Sequence, residues 1–142
     1  APLRGDDLKT AKALDAIIER NTLPQDVILY RMEDSGYIRF LGCDSIYVKE
    51  IVSFINDKAG DIITDPGFKS TSCVEELNVF KDRRSVRVNI RAKKGAHAFV
   101  SDNYPESEVI LPRGSKLKLI SARYEVSPNN GRVLVIIDCD LI

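Results

Sequence analysis

The chain reads as an α+β domain, with helices gathered early and two packed, mainly antiparallel sheets following them. Three observations carry this. Apolar residues recur at helical spacing before Asn21 and again between Ser45 and Lys58. From Gly67 onward the period shortens to two, so that Val86, Val88 and Ile90 alternate with Arg87, Asn89 and Arg91 as in a half-buried strand. Turn signals punctuate that second half, the strongest being Pro128-Asn129-Asn130-Gly131, because Asn-Gly supplies the positive φ angles of a tight hairpin.

In chain order, Leu8, Ala11, Leu14, Ile17 and Ile18 form an apolar stripe with Asp6 and Asp7 at its positive end, which predicts an amphipathic helix from Asp6 to Asn21. After Leu23-Pro24, the run Val27-Ile28-Leu29-Tyr30 is short, partly β-branched and bounded by turn residues. It is expected to be a buried strand that delivers Arg31 at its end. A second helix is expected from about Ser45 to Lys58, capped by Asp44 and closed by Gly60. Phe68 to Ser72 reads as a short strand and Cys73 to about Phe80 as one or two helical turns. Further strands are expected at about 86–91, 96–100, 106–111, 117–126 and 132–139.

The 142 residues suit one domain, which buries roughly 68–70% of its unfolded surface and needs no metal or disulfide staple. Lys plus Arg and Asp plus Glu stand at 21 each, so no net field draws nucleic acid or an anionic membrane towards the chain. Cys43, Cys73 and Cys139 are far apart and lack metal-ligand spacing, and they read as free thiols, with no metal site. The longest apolar run, Val133 to Ile137, is too short to span a bilayer. Ala1-Pro2-Leu3-Arg4-Gly5 carries neither an initiating Met nor a cleavable signal pattern, and the chain is expected to be the C-terminal part of a longer polypeptide.

Three stretches could carry chemistry. In Glu106-Ser107-Glu108 the two acids of a strand fall on one face, roughly 6.5–7 Å apart. Such a pair can divide the work of base and cation stabiliser, although an isolated Glu-x-Glu is equally an exposed acidic edge. Arg31 ends a strand, where its planar fork could grip a phosphate or simply make a surface ion pair. Ser70-Thr71-Ser72 could orient a carboxylate, or serve ordinary turn chemistry. His97, in an alternating segment without nearby Cys or carboxylates, reads as structural.

Taken in order, the arginine, the aromatic-x-Ser-Thr-Ser about forty residues later and the Glu-x-Glu about thirty-five beyond that resemble the signature of mono-ADP-ribosyltransferases. The chain is similar to the enzymatic components of actin-modifying binary toxins, the vegetative insecticidal proteins and related ADP-ribosyltransferase exoenzymes. The stretches "LPQDVILYR", "GFKSTS", "RSVRVNIRAKKGAHAFVS" and "SEVILPRGSKLKLI" fall in family order. The resemblance implies one ADP-ribosyltransferase domain over residues 1–142, with 1–22 as the remnant of an N-terminal helical lobe and 23–142 as the NAD-binding catalytic core.

It also implies roles for single residues. Arg31 holds the NAD pyrophosphate and the Met32 main chain meets the nicotinamide amide. Ser70 orients Glu108, with Thr71 and Ser72 behind it; Glu108 binds the nicotinamide ribose and stabilises the oxocarbenium ion. Phe80 stacks on nicotinamide or packs in the core, and Arg83 or Arg84 is a second phosphate ligand. Glu106 activates the guanidinium of an incoming arginine, and Tyr104 touches the protein substrate. The implied enzyme is a secreted or injected toxin that acts in the target-cell cytoplasm on a host protein, actin being one candidate. NAD is its substrate and no metal takes part. An NAD glycohydrolase and a non-catalytic binding module of a phage or secretion-system protein are the competing expectations.

Overall fold

The structure, a computed structural model, describes residues 6–74, 85–101 and 108–142. Helix α1 (Asp6–Glu19) buries Ala11 and Ile18 along one face, and the Asn21 side-chain amide donates to the Ile17 carbonyl at its end. Strand β1 (Val27–Glu33) runs three residues beyond the expected apolar run, so Arg31 lies within the strand and not after it.

Two short helices follow. Helix α2 (Gly36–Phe40) was not anticipated, because five residues are too few to show a period; the Asp34 side chain accepts from Gly36 N (2.8 Å) at its start. Helix α3 (Val48–Asp57) starts later than expected, with Tyr47 and not Asp44 at the cap position. Ser45 does the local work outside the helix: its hydroxyl accepts from Tyr47 N (3.1 Å) and donates to Glu50 (2.5 Å). Gly60 sits beyond the helix with φ +96°, and its N–H reaches the Leu119 carbonyl at 2.7 Å.

The remaining strands are β2 (Ile62–Asp65), β3 (Lys69–Ser72), β4 (Val86–Ala92), β5 (Phe99–Val100), β6 (Glu108–Leu111), β7 (Ser115–Val126) and β8 (Val133–Leu141). Their order is β2-β7-β8-β4-β1-β3-β6-β5, with every neighbouring pair antiparallel except β4 with β8. The α+β class holds. The two packed, mainly antiparallel sheets that the sequence predicts are joined at one place into a single hydrogen-bonded ladder.

The joint explains the difference. Strand β1 pairs β4 from Val27↔Ala92 to Glu33↔Val86, but meets β3 only at Tyr30↔Ser72. Among the described residues, a five-strand part and a three-strand part are therefore linked by a single rung, which no sequence period records. Their apolar faces share one core: Val109 and Leu111 of β6 cluster with Leu29 of β1, Val88 of β4, Ile137 of β8 and Ile55 of α3. The expected Asn-Gly turn is present between β7 and β8, with Gly131 at φ +70°.

Strand β4 departs from the expected half-buried alternation, because Arg87 and Asn89 are buried along with Val86, Val88 and Ile90. Arg87 Nε donates to Asn89 (3.0 Å), whose amide donates to Asp138 of β8 (3.1 Å), while the Arg87 guanidinium lies over the Tyr30 ring. Polar residues are tolerated under cover there because they bond to one another. The helical turns expected at 73–80 fall largely outside the described residues.

Candidate active site

The site forms where β1, β3 and β6 lie side by side, at the thin joint of the sheet. Strand β3 alternates: Lys69 and Thr71 point into the core, and Ser70 and Ser72 point out. Register then fixes the rest. Ser72 lies opposite Glu108 and Ser70 opposite Ile110, so Ser70 stands diagonal to Glu108 on the open face. Ser70 Oγ donates a short hydrogen bond to Glu108 Oε2. On the other side of β3, Arg31 NH1 donates to the Ser70 carbonyl at 2.9 Å, and Arg31 Nε pairs with the Glu33 carboxylate. One residue, Ser70, thus touches the arginine through its backbone and the acid through its hydroxyl.

Support comes from beneath. Thr71 Oγ1 donates to the Val109 carbonyl (2.7 Å) within the core, fastening β3 to β6 one residue from Glu108. Ser72 Oγ accepts from Val74 N (3.1 Å), which shapes the exit of the strand. Lys69 is 1% exposed, with Nζ 2.6 Å from Asp65 Oδ2 and 5.5 Å from the centre of the Tyr37 ring. That contact is an ion pair and not a well-directed hydrogen bond, since among the described residues Nζ finds no partner in bonding geometry. Burial works against the Asp65 carboxylate, but the Lys69 ammonium and the Gly67 N–H outweigh it and hold its pKa below the usual value. Burial pushes the Tyr37 phenol up, and Cys139, Glu33 and Asp65 add to the shift while Arg31 opposes it. Burial also raises the Cys139 thiol to about 12, with Asp138 adding to the shift and Lys69 opposing it, so this thiol stays protonated at neutral pH.

The structure brings together Arg31, Ser70, Thr71, Ser72 and Glu108. Met32 lies on the opposite face of β1 from Arg31, its partly buried side chain packed against Leu134 and Ile136. Phe80, Arg83, Arg84, Tyr104 and Glu106 lie outside the described residues. His97 makes an isolated bridge to Thr22, and its Nδ1 lies 3.2 Å from the Asn21 carbonyl, as suits a structural residue. Two residues escaped the sequence reading. Glu33 could have been found from the alternation of β1, which sets it on the same face as Arg31; nothing in the sequence singles out Lys69.

At its outer end the site is tied to α1. Arg113, in the turn after β6, forms a two-point ion pair with Asp15 and lies over the Phe68 ring at 5.4 Å. The turn, the start of β3 and the helix are held by one guanidinium.

A model of the ADP-ribosyltransferase exoenzyme family matches residues 2–141. Among solved structures, the C3larvin toxin, an ADP-ribosyltransferase from Paenibacillus larvae, is 26% identical with a TM-score of 0.80, covering 100% of this chain and 80% of its own. Plx2a, an ADP-ribosyltransferase toxin from the same organism, gives a TM-score of 0.81 at 20% identity, over 98% of this chain and 72% of its own. BECa, an ADP-ribosylating toxin of a binary enterotoxin of C. perfringens solved with NADH, gives 0.79 at 19% identity, over 99% of this chain and 36% of its own. No curated protein matches. With the family model covering nearly every residue and the arginine, serine and glutamate of the signature assembled on adjacent strands, the chain belongs to the ADP-ribosyltransferase exoenzyme family.

Proposed function

We propose that the protein cleaves NAD and transfers its ADP-ribose to an arginine of a target protein, with release of nicotinamide. The observation that carries this reading is the double engagement of Ser70, which holds Glu108 by its hydroxyl and Arg31 by its carbonyl. A fixed carboxylate and a fixed guanidinium, set on neighbouring strands, suit a substrate with a ribose at one place and a pyrophosphate at the next.

In this reading Arg31 binds the pyrophosphate. Glu108 faces the nicotinamide ribose, and its negative charge favours the oxocarbenium-like state in which the bond from the anomeric carbon to nicotinamide lengthens. The bond's electron pair leaves with nicotinamide. A guanidinium nitrogen of the target attacks the anomeric carbon and gives up a proton to Glu106, whose place in the Glu-x-Glu supplies a carboxylate next to Glu108. Phe80 and Arg83 or Arg84 complete the nucleotide site, the Met32 backbone meets the nicotinamide amide, and Tyr104 reaches towards the protein substrate. Because the related proteins are named as toxins, we extend that role to this chain: a secreted or injected effector acting on a host protein inside the target cell, with actin among the candidates.

Two variants test the assignment. Glu108→Gln is expected to abolish both NAD hydrolysis and transfer. Glu106→Gln is expected to keep hydrolysis and to lose transfer to agmatine, a small arginine mimic. Transfer that survives in Glu106→Gln removes arginine as the acceptor; hydrolysis without transfer in the native protein points to a glycohydrolase; a native protein that neither binds nor cleaves NAD is a binding module.

A further inference from the structure

Arg31 is held from two sides. Its NH1 donates to the Ser70 carbonyl at 2.9 Å, and its Nε pairs with the carboxylate of Glu33, two residues on along β1 and therefore on the same strand face. The arginine and Glu33 side chains are 26% and 18% exposed, so the pair sits in a partly dry wall rather than in open solvent. Tyr37 of α2 is buried nearby, near enough to Glu33, Asp65 and Arg31 for the charge of each to act on its phenol. A guanidinium has five N–H donors in a rigid plane, and the two contacts use Nε and one hydrogen of NH1. Fixing both turns the whole plane, and sets where the NH2 edge points.

We propose that Glu33 is a positioning residue for the nucleotide: it orients Arg31 so that the NH2 edge meets the NAD pyrophosphate. The inference rests on the reading that Arg31 binds that pyrophosphate. Glu33 acts in two opposed ways. As a hydrogen-bond acceptor it holds the plane still and lowers the ordering cost of binding; as an anion it offsets part of the charge that attracts phosphate. Substitutions at this one position separate the two.

Glu33→Ala removes the acceptor and the charge, and is expected to raise the NAD dissociation constant about tenfold, the effect of one charge-assisted hydrogen bond. Glu33→Gln keeps an oxygen for Nε and removes only the charge. Its dissociation constant is expected to equal the native value or fall below it. Glu33→Asp, with a shorter reach, is expected to lie between native and Ala. Titration calorimetry with NAD reads all three, since the chain has no tryptophan to report binding. At saturating NAD the hydrolysis rate of each variant is expected to stay within about threefold of native, a split between affinity and turnover that a general loss of structure does not produce. Native affinity in Glu33→Ala, or a loss in Glu33→Gln as large as that in Ala, overturns the proposal. Arg31→Gln is the control: if it binds NAD as the native chain does, the pyrophosphate reading falls and the role of Glu33 with it, whereas normal Glu33 variants beside an inactive Arg31→Gln refute Glu33 alone.

Discussion

Ser70 Oγ donates to Glu108 across the β3–β6 ladder, while the rung directly opposite Glu108 belongs to Ser72. The serine is thus diagonal to the acid and reaches it only because both lie on the open face of a twisted pair of strands. Ser70→Ala removes that donor without touching the core. A hydrogen bond to a charged group contributes about 1.5–3 kcal/mol, so NAD hydrolysis is expected to fall about ten- to a hundredfold. Thermal unfolding, measured alongside, is expected to stay near native because Ser70 is exposed.

Thr71 gives the complementary result. Its hydroxyl is buried and donates to the Val109 carbonyl at 2.7 Å. Thr71→Val keeps the shape and removes this hydrogen bond while the carbonyl keeps its place in the β3–β6 ladder, which costs about 0.5–1.5 kcal/mol and lowers the unfolding midpoint by several degrees. Binding of NAD to the variant that remains folded is expected to be unchanged, as Thr71 faces away from the site.

The Lys69–Asp65 pair predicts a pH dependence. The carboxylate titrates below its ordinary value of 3.8 in the folded protein, because the Lys69 ammonium and the Gly67 N–H outweigh the cost of its burial. A group depressed on folding contributes stability that is complete above its unfolded pKa and is lost as pH falls through the folded one. Asp65→Asn is therefore expected to destabilise the protein near neutral pH, and the gap from native is expected to close as denaturation is followed from pH 5 down towards pH 2. A gap that stays constant over that range refutes the assignment. Both Lys69→Met and Lys69→Ala leave Asp65 unpaired, but Met fills the same space, so it is expected to be tolerated better than Ala, which adds a cavity.

Much of this arrangement was legible in the residues, for reasons that differ by element. Val27 to Tyr30 and Val133 to Ile137 announce strands because buried strands need continuous apolar runs, and Ser70, Glu108 and Arg31 are recognisable as a set in order and spacing. Strand β2, four residues long, and helix α2, five residues long, show no period long enough to read. Arg87 and Asn89 look like the wet face of β4 and are instead covered, because Tyr30 and Asp138, which meet them, come from other strands. Lys69 was hidden for the same reason: its value lies in Asp65 and Tyr37, and composition alone gives no hint that a lysine beside Ser70 turns inward. Pairing across distant strands, and not local pattern, decides these cases.

The edge of β7 supplies the last prediction. Beyond its pairing with β2, which ends at Lys118, the strand would present open backbone groups to solvent, the usual hazard of an edge. Two devices close it. Leu119 exchanges hydrogen bonds with Gly60 and Asp61 of the loop after α3. Three residues on, the Asn56 side chain imitates a strand: its amide oxygen accepts from Ala122 N at 2.8 Å and its amide nitrogen donates to the Ala122 carbonyl at 3.1 Å. At neutral pH a side-chain amide offers a donor and an acceptor side by side in this way, and a carboxylate does not. Asn56→Ala leaves both groups unmet in a partly buried place, and is expected to cost about 2 kcal/mol. Asn56→Asp keeps the acceptor but sets a carboxylate oxygen against the Ala122 carbonyl, so at neutral pH it is expected to be no better than Ala. Protonation restores a donor, so the Asp variant is expected to gain on the Ala variant as pH falls below about 4, the ordinary range of the group. Denaturant titrations of the two variants at pH 7 and pH 4 measure the crossing. Equal pH dependence in both would show that the amide fills space and does not bond.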